Sequence, residues 1–360
     1  MKVSVSLGRD GPRGGLEGWA NAARFAVEAE RLGVDCLWSA EAWGQDGVSP
    51  LAYLAAKTSR LKVGTGILQV GTRTPALLGM TAMTLASMSG GRFLLGLGTS
   101  GPQVMEGWHG VPFARPLRRM RETIEIVRQV TRGERLVYAG EIYQLPLAGG
   151  EGKALRTGAE PLETAVPVYI AALGPRSLRM TGELADGWLG TSFTPESADI
   201  FFEPIREGAA SVGRSLSELD LQAGGAVEFT DDVEAAAKSR ARDLAFTLGA
   251  MGSAQHNFYN DAFRRQGFAD EASEVQRLWL AGRRDEARDR VPLEMALRTN
   301  LLGTREMVKE RVRVYRNAGV TTLRAGPAGA NVDEQLETLA TLMEVVAEVN
   351  AEEVSDFGED

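Results

Sequence analysis

One cysteine and two histidines in 360 residues, no block of basic residues, and no apolar run of membrane-spanning length are what this chain does without. Each shortage removes a class of explanation. A lone Cys36 excludes a disulfide framework and a thiolate zinc site. Its place in the run VDCLW reads as a buried, inert thiol. The histidines are His109 and His256, and neither has an obvious paired nucleophile, so a Ser-His-Asp hydrolase is not expected. There is no HExxH, no clustered His/Asp/Glu set and no Walker A sequence. No metal site is expected. A net charge of −8 with no basic block argues against nucleic acid or an anionic membrane as the main partner. The start, MKVSVSLGRDG, is too short and polar for a signal peptide, and no apolar run approaches the roughly 20 residues of a span. A cytoplasmic protein acting on a small molecule is the expectation.

What is present is a march of strands and helices. MKVSVSLG, DCLWSAE, LKVGTGILQV, RFLLGLG, VPVYIAALG, GWLGTS, DLQAGGAVEFT and TTLRAG read as eight strands. Amphipathic stretches follow them: Leu16–Leu32, Ser49–Thr58, Pro75–Met88, Pro116–Arg132, a helix opened by Pro175, Pro195–Val212, a helix capped by Asp231 and Asp232, and Val332–Val349. Thr304–Ala318 adds a helix before the last strand. Most strands are continuous apolar runs, as in parallel strands covered on both faces. Eight such units favour an α/β fold of the (β/α)8 (TIM) barrel type over a doubly wound sheet. Two stretches break the repeat as insertions: 134–167, rich in Gly and Pro after the fourth helix, and 249–300, helical, after the strand 7 unit. No linker divides the chain, so residues 1–360 read as a single domain.

Gly96, Gly98 and Gly101 have the GxGxxG spacing of a dinucleotide fingerprint. That fingerprint should follow the first strand, open a helix at once and meet an acid about 20 residues on. Here it follows the fourth strand, the next helix starts near Pro116, and Arg118–Arg121 occupy the region where the acid should be. The NAD reading fails on context.

In a barrel the active site lies at the C-terminal ends of the strands. Those positions hold Ser39, Ala40 and Glu41; Gly66 and Ile67; Gly98, Thr99 and Ser100, then Glu106, Trp108 and His109; Ala171, Ala172, Leu173 and Gly174; and Thr191. The set is glycine-rich and hydroxylated, with little acid-base machinery, and suits a phosphorylated planar cofactor. Gly174-Pro175 opens a helix whose free amides would face a phosphate, with Arg176 next, unless this is an ordinary strand-to-helix turn. Glu41 is either a solvated loop charge or a proton donor in a dry pocket. His109 is either a titrating site residue or a structural one. His256, with aromatic neighbours, reads as packing or as part of a substrate lid.

LWSAEAWGQD, the long stretch from LKVGTGILQVGTRTP to VMEGWHGVPF, and VYIAALGPRSLRMTGELADGWLGT resemble the bacterial luciferase-like superfamily, and within it the coenzyme F420-dependent oxidoreductases that include methylenetetrahydromethanopterin reductase. The resemblance covers nearly the whole chain. It implies a deazaflavin or isoalloxazine ring across the strand ends, and a non-prolyl cis peptide behind it at Gly66-Ile67. It also implies cofactor contacts from the GTS and AALG segments, and a homodimer or higher assembly. F420 as cofactor implies hydride transfer at its C5 to or from a small organic substrate, a pterin-like one among the options, with Glu41 or His109 managing the proton. Arg176, Arg179, Lys153 and Arg156 are candidates for the acidic tail. FMN, with a partner reductase and monooxygenase chemistry, is the alternative, and a binder without turnover is a third.

Overall fold

The computed structural model describes residues 1–8, 11–251 and 257–352, so His256 lies outside the described residues. Eight parallel strands form a closed ring: β1 (Lys2–Ser6), β2 (Cys36–Ser39), β3 (Lys62–Thr65), β4 (Phe93–Gly98), β5 (Val168–Ile170), β6 (Gly187–Leu189), β7 (Asp220–Ala223) and β8 (Thr322–Pro327). β8 pairs with β1 through Ser4↔Arg324 and Val5↔Ala325, which closes the barrel.

The apolar runs are continuous because both faces of each strand are covered. Every residue of β4, FLLGLG, is buried. Alternate side chains go opposite ways. Leu37, Val63, Phe93, Leu95 and Ile170 join the main core, which includes residues of the surrounding helices. Cys36, Trp38, Leu94, Tyr169 and Leu189 form an inner cluster in the lumen. Trp38 and Tyr169 meet edge to face at 5.2 Å.

The helices begin at local signals. α1 (Gly15–Leu32) ends on Gly33 in the left-handed conformation, and α2 (Ser49–Ala55) carries Pro50 in its first turn. α3 (Pro75–Ser89) has Pro75 in its first turn, with Thr74 accepting from the Leu77 N–H. α4 (Pro116–Thr131) and α5 (Pro175–Leu184) also start on proline. α6 (Asp199–Ser211) follows a short 3-10 turn at Pro195–Ser197, where one continuous helix was expected. α7 (Val233–Ala250) is capped by Asp232. The 249–300 stretch holds four described helices: α8 (Phe258–Arg265), α9 (Ala269–Leu280), α10 (Arg284–Asp289) and α11 (Leu293–Thr299). α12 (Arg305–Asn317) and α13 (Val332–Ala351) are capped by Thr304 and Asn331. The 134–167 stretch carries one small antiparallel hairpin, Tyr138–Ala139 with Gln144–Leu145.

One strand differs from expectation. DLQAGGAVEFT is two strands, because the chain turns at Gly224 (φ 159°) and Gly225, where an added Cβ would lie 2.3 Å and 2.1 Å from neighbouring carbonyl oxygens. The second half, Ala226–Phe229, pairs with β8 and with Leu301–Gly303, a strand not foreseen from sequence.

A polar network closes the lower lumen. Gln222 Oε1 accepts from Ser4 Oγ and Trp38 Nε1, both at 3.0 Å. Its Nε2 donates to Asp220 at 2.7 Å, and Asp220 also accepts from Tyr169, Thr321 and Thr322 hydroxyls. Burial alone would raise the Asp220 pKa, but these four donors hold it below the usual carboxylate value. Among the described residues, no helix is long and apolar enough to cross a membrane.

Candidate active site

At the C-terminal end of β3 the chain bulges. The Gly66-Ile67 peptide is cis, and the strand resumes at Leu68–Gln69 beside the end of β4. The Gly66 N–H donates to the Ser39 carbonyl at 2.8 Å, which ties the bulge to β2. Two glycines of the GxGxxG spacing, Gly96 and Gly98, now have a cause. A Cβ on Gly96 would lie 1.8 Å from the Thr65 carbonyl oxygen, and the Thr65 hydroxyl already bonds both backbone groups of Gly96. A Cβ on Gly98 would lie 2.8 Å from Ile67 Cδ1. The spacing serves strand packing and lets Ile67 lie over β4 at the barrel mouth.

Beside the bulge, Ser39 is buried and Ala40 half-buried. Glu41 is fully engaged: Arg73 donates to both carboxylate oxygens at 2.5 and 2.7 Å, and the Gly47 N–H donates at 2.9 Å. The Arg73 and Glu41 side chains are only 19% and 9% exposed. The bond to Glu41 raises the Arg73 pKa above its ordinary value. This is the geometry of an anchor for Arg73 and the Gly47 loop, where the sequence left a solvated loop charge and a proton donor both open. Gln69 Nε2 donates to the Glu41 and Ala42 carbonyls, while Gln69 Oε1 is buried with no partner.

After β4, Thr99 is half-buried and Ser100 takes a left-handed backbone (φ 57°). A helical turn, Pro102–Met105, leads to Trp108 and His109, both exposed on the rim. The His109 N–H donates to the Val104 carbonyl at 3.0 Å, and no hydrogen bond joins its ring to Glu41. Glu106 accepts from the Phe113 N–H.

β5 ends in Ala171, Ala172, Leu173 and Gly174. Ala171 donates to the Leu97 carbonyl, and the Ala172 carbonyl accepts from Trp188 Nε1. Gly174 caps α5 with no side-chain bond to the free amides of its first turn, an arrangement that suits an anion. Arg265 of α8 donates to the Leu173 carbonyl and lies over the Phe201 ring. A cavity of about 480 Å³ here is lined by Gly174, Pro175, Arg264 and Arg265. Arg176 is exposed in a neighbouring cavity with Arg118 and Arg121. Thr191 is exposed after β6, and Ser192 also has a positive φ of 50°.

Two candidate tail cations are misplaced. Lys153 and Arg156 flank Leu155, whose carbonyl accepts from the N–H of Leu136, just past the C-terminus of α4 and so at the far end of the barrel. Arg179 is paired with Glu183 and Glu207. Sequence reasoning missed Gln69, Arg73, Arg265 and Arg324. Gln69 and Arg73 sit in LQVGTR right after a strand end, which is the signal that could have found them. Arg265 comes from an insertion whose placement no local pattern gives. Arg324 projects from β8 into the lumen and donates to the Gly190 carbonyl at 3.0 Å, and burial lowers its pKa from the ordinary value. Among the described residues, no group of three or more His, Cys, Asp or Glu could hold a metal.

A family model described as luciferase-like monooxygenase matches residues 1–322. A putative coenzyme F420-dependent oxidoreductase of Mycobacterium tuberculosis is 38% identical over 350 residues, covering 95% of this chain and 100% of that protein. A 5,10-methylenetetrahydromethanopterin reductase of Archaeoglobus fulgidus is 29% identical, covering 86% of this chain and 91% of its own. The solved structure of a coenzyme F420-dependent tetrahydromethanopterin reductase from Methanopyrus kandleri has the same fold, with a TM-score of 0.80, 23% identity, and coverage of 96% of this chain and 98% of that one.

Proposed function

The chain belongs to the luciferase-like monooxygenase family, and from that premise we propose that it is an oxidoreductase using coenzyme F420, with hydride passing between the deazaflavin C5 and a small organic substrate. The observation that carries this reading is the make-up of the barrel mouth. Ile67 over Gly98 makes an apolar seat for one face of a ring. Gln69 Oε1 is a buried acceptor in need of a donor at its edge. The uncapped start of α5, beside Arg264 and Arg265, offers a place for a phosphate. The residues present therefore fit a phosphorylated planar cofactor. The 38% identity to a relative named as F420-dependent supports the choice of cofactor.

When bound, F420 supplies a hydride donor or acceptor at C5. The chain's own residues do the rest. Ser39, Ala40, Gly66 and Ile67 would back the ring; Gly98, Thr99, Ser100 and Thr191 would meet its polar side chain; Ala171, Ala172, Leu173, Gly174 and Arg176 would meet its phosphate and acidic tail. The barrel wall excludes water and orients the substrate. His109, on the rim, holds or accepts the accompanying proton, while Glu41 fixes Arg73 and the loop above Gln69. A homodimer fits α3, on which Leu77, Met80 and Met88 are exposed although the helix is apolar on its inner face as well.

Fluorescence titration of the purified protein with F420 and with FMN tests the reading. Saturable binding of F420 is expected. Tight binding of FMN without F420 would overturn it and favour monooxygenase chemistry with a partner reductase.

A further inference from the structure

Asp220 and Arg324 both occupy the lumen, yet they do not meet. Arg324 lies two residues beyond Thr322 on β8, and the Thr322 hydroxyl reaches Asp220 inside the barrel, so strand alternation turns Arg324 inward too. Its guanidinium has five donors, and among the described residues it makes one hydrogen bond, to Gly190 at the end of β6. Among the described residues, the carboxylates Asp220, Glu228 and Glu41 of the lumen and mouth are committed elsewhere. Asp220 serves Thr321, Thr322, Gln222 and Tyr169; Glu228 pairs with Arg240; Glu41 pairs with Arg73. Arg324 is half-buried, and its bond to Gly190, the residue just past β6, shows that the guanidinium reaches toward the C-terminal ends of the strands. A desolvated guanidinium without a counter-charge is costly, and an anion arriving from the mouth would relieve it.

The topology says what that anion is part of. β8 stands four strands from β4 in a ring of eight, so Arg324 faces Gly98 and the Ile67 bulge across the lumen. A planar ring seated on Ile67 would turn its other face toward Arg324. We propose that Arg324 anchors an oxyanion of the substrate, a carboxylate or a phosphate, so that the substrate class is a small anionic molecule. Its acidic group lies between β6 and β8, and its reacting carbon lies over the seat formed by Ile67 and Gly98. The planar fork of a guanidinium matches either oxyanion with two parallel bonds. The assignment rests on the oxidoreductase reading of this same mouth.

Calorimetric titration with three probes tests it: benzoate, its neutral analogue benzamide, and inorganic phosphate. With the F420-loaded protein, benzoate or phosphate is expected to bind, with benzamide at least about tenfold weaker. Arg324→Met should weaken the anion by about tenfold or more, and Arg324→Lys by less, while F420 affinity stays the same. Equal anion affinity in wild type and Arg324→Met, equal affinity for benzoate and benzamide, or no binding of either anion to the wild type would overturn the proposal. If Arg324→Met fails to fold, Arg324→Lys carries the test, because it removes the fork and keeps the charge. The same titrations without F420 separate the two readings. Anion binding that depends on Arg324 in a protein that ignores F420 would sink the cofactor reading alone. Normal F420 binding with indifference to the anions would sink this one alone.

Discussion

Arg73→Met removes the cation that closes the mouth over Glu41 while keeping a side chain of similar length. Glu41 would then sit 9% exposed with the Gly47 N–H as its remaining donor. Stranding one member of a buried ion pair costs about 3–5 kcal/mol, and the lower end applies at the rim of a barrel, so about 3 kcal/mol is expected. That is a large share of the roughly 5–15 kcal/mol that holds a domain together. Glu41→Gln strands Arg73 instead and should cost about 2 kcal/mol, since Arg73 is the more exposed partner and an amide oxygen can still accept. Urea unfolding of both single variants and the double variant gives the coupling energy, expected at about 1.5 kcal/mol or more. The cycle also distinguishes two roles for Glu41. As an anchor, its loss and the loss of Arg73 should lower F420 affinity together. As a proton donor, Glu41→Gln should lower kcat while leaving stability and F420 affinity intact, and Arg73→Met should not copy it. Two single variants that each cost under about 0.5 kcal/mol, with no coupling, would refute the reasoning.

Glu30 gives a pH prediction. Burial would raise its pKa, but the N–H groups of Leu61, Arg60 and Ser59 and the Ser59 hydroxyl outweigh that and hold it at about 2. A depressed carboxylate contributes stability above its unfolded pKa, and that contribution is lost as pH falls from 4.5 toward about 2. Glu30→Gln should flatten this limb of the stability-pH curve, as read by thermal melting, and an unchanged limb counts against the assignment. Gly98→Ala drives a Cβ into Ile67, so F420 affinity should fall by about tenfold, the effect of roughly 1.4 kcal/mol, with a smaller change in Tm. Sedimentation should find a dimer that Met80→Glu shifts toward monomer. A wild type that sediments as a monomer removes the α3 interface.

The strand order was readable because each buried run, such as FLLGLG, is bounded by glycine, proline or a capping residue, and eight such runs leave one economical closure. The cis peptide position was readable only through family resemblance, since Gly66-Ile67 has no local signature. What escaped was set by distance along the chain. Arg73 meets Glu41 across 32 residues, Arg265 meets Leu173 across 92, and Arg324 meets Gly190 across 134. Local periodicity carries no information about such meetings. The split of the seventh strand was missed for another reason: Gly224-Gly225 reads as a flexible break in a strand, and only the backbone of Arg324 and the Thr299 carbonyl beside it show why no side chain fits there. GxGxxG is ambiguous by itself, because glycines that permit strand packing and glycines that cradle a pyrophosphate share a spacing; its place after the fourth strand is what excluded the second.

The network of Ser4, Trp38, Tyr169, Asp220, Gln222 and Thr322 fills the lower lumen with interlocked side chains. A chamber stoppered in this way has one door. Whatever lies against Ile67 must come in before whatever lies above it and cannot leave until the upper molecule has gone. Steady-state kinetics should therefore show a compulsory order, with excess substrate trapping the spent cofactor and slowing turnover at high concentration.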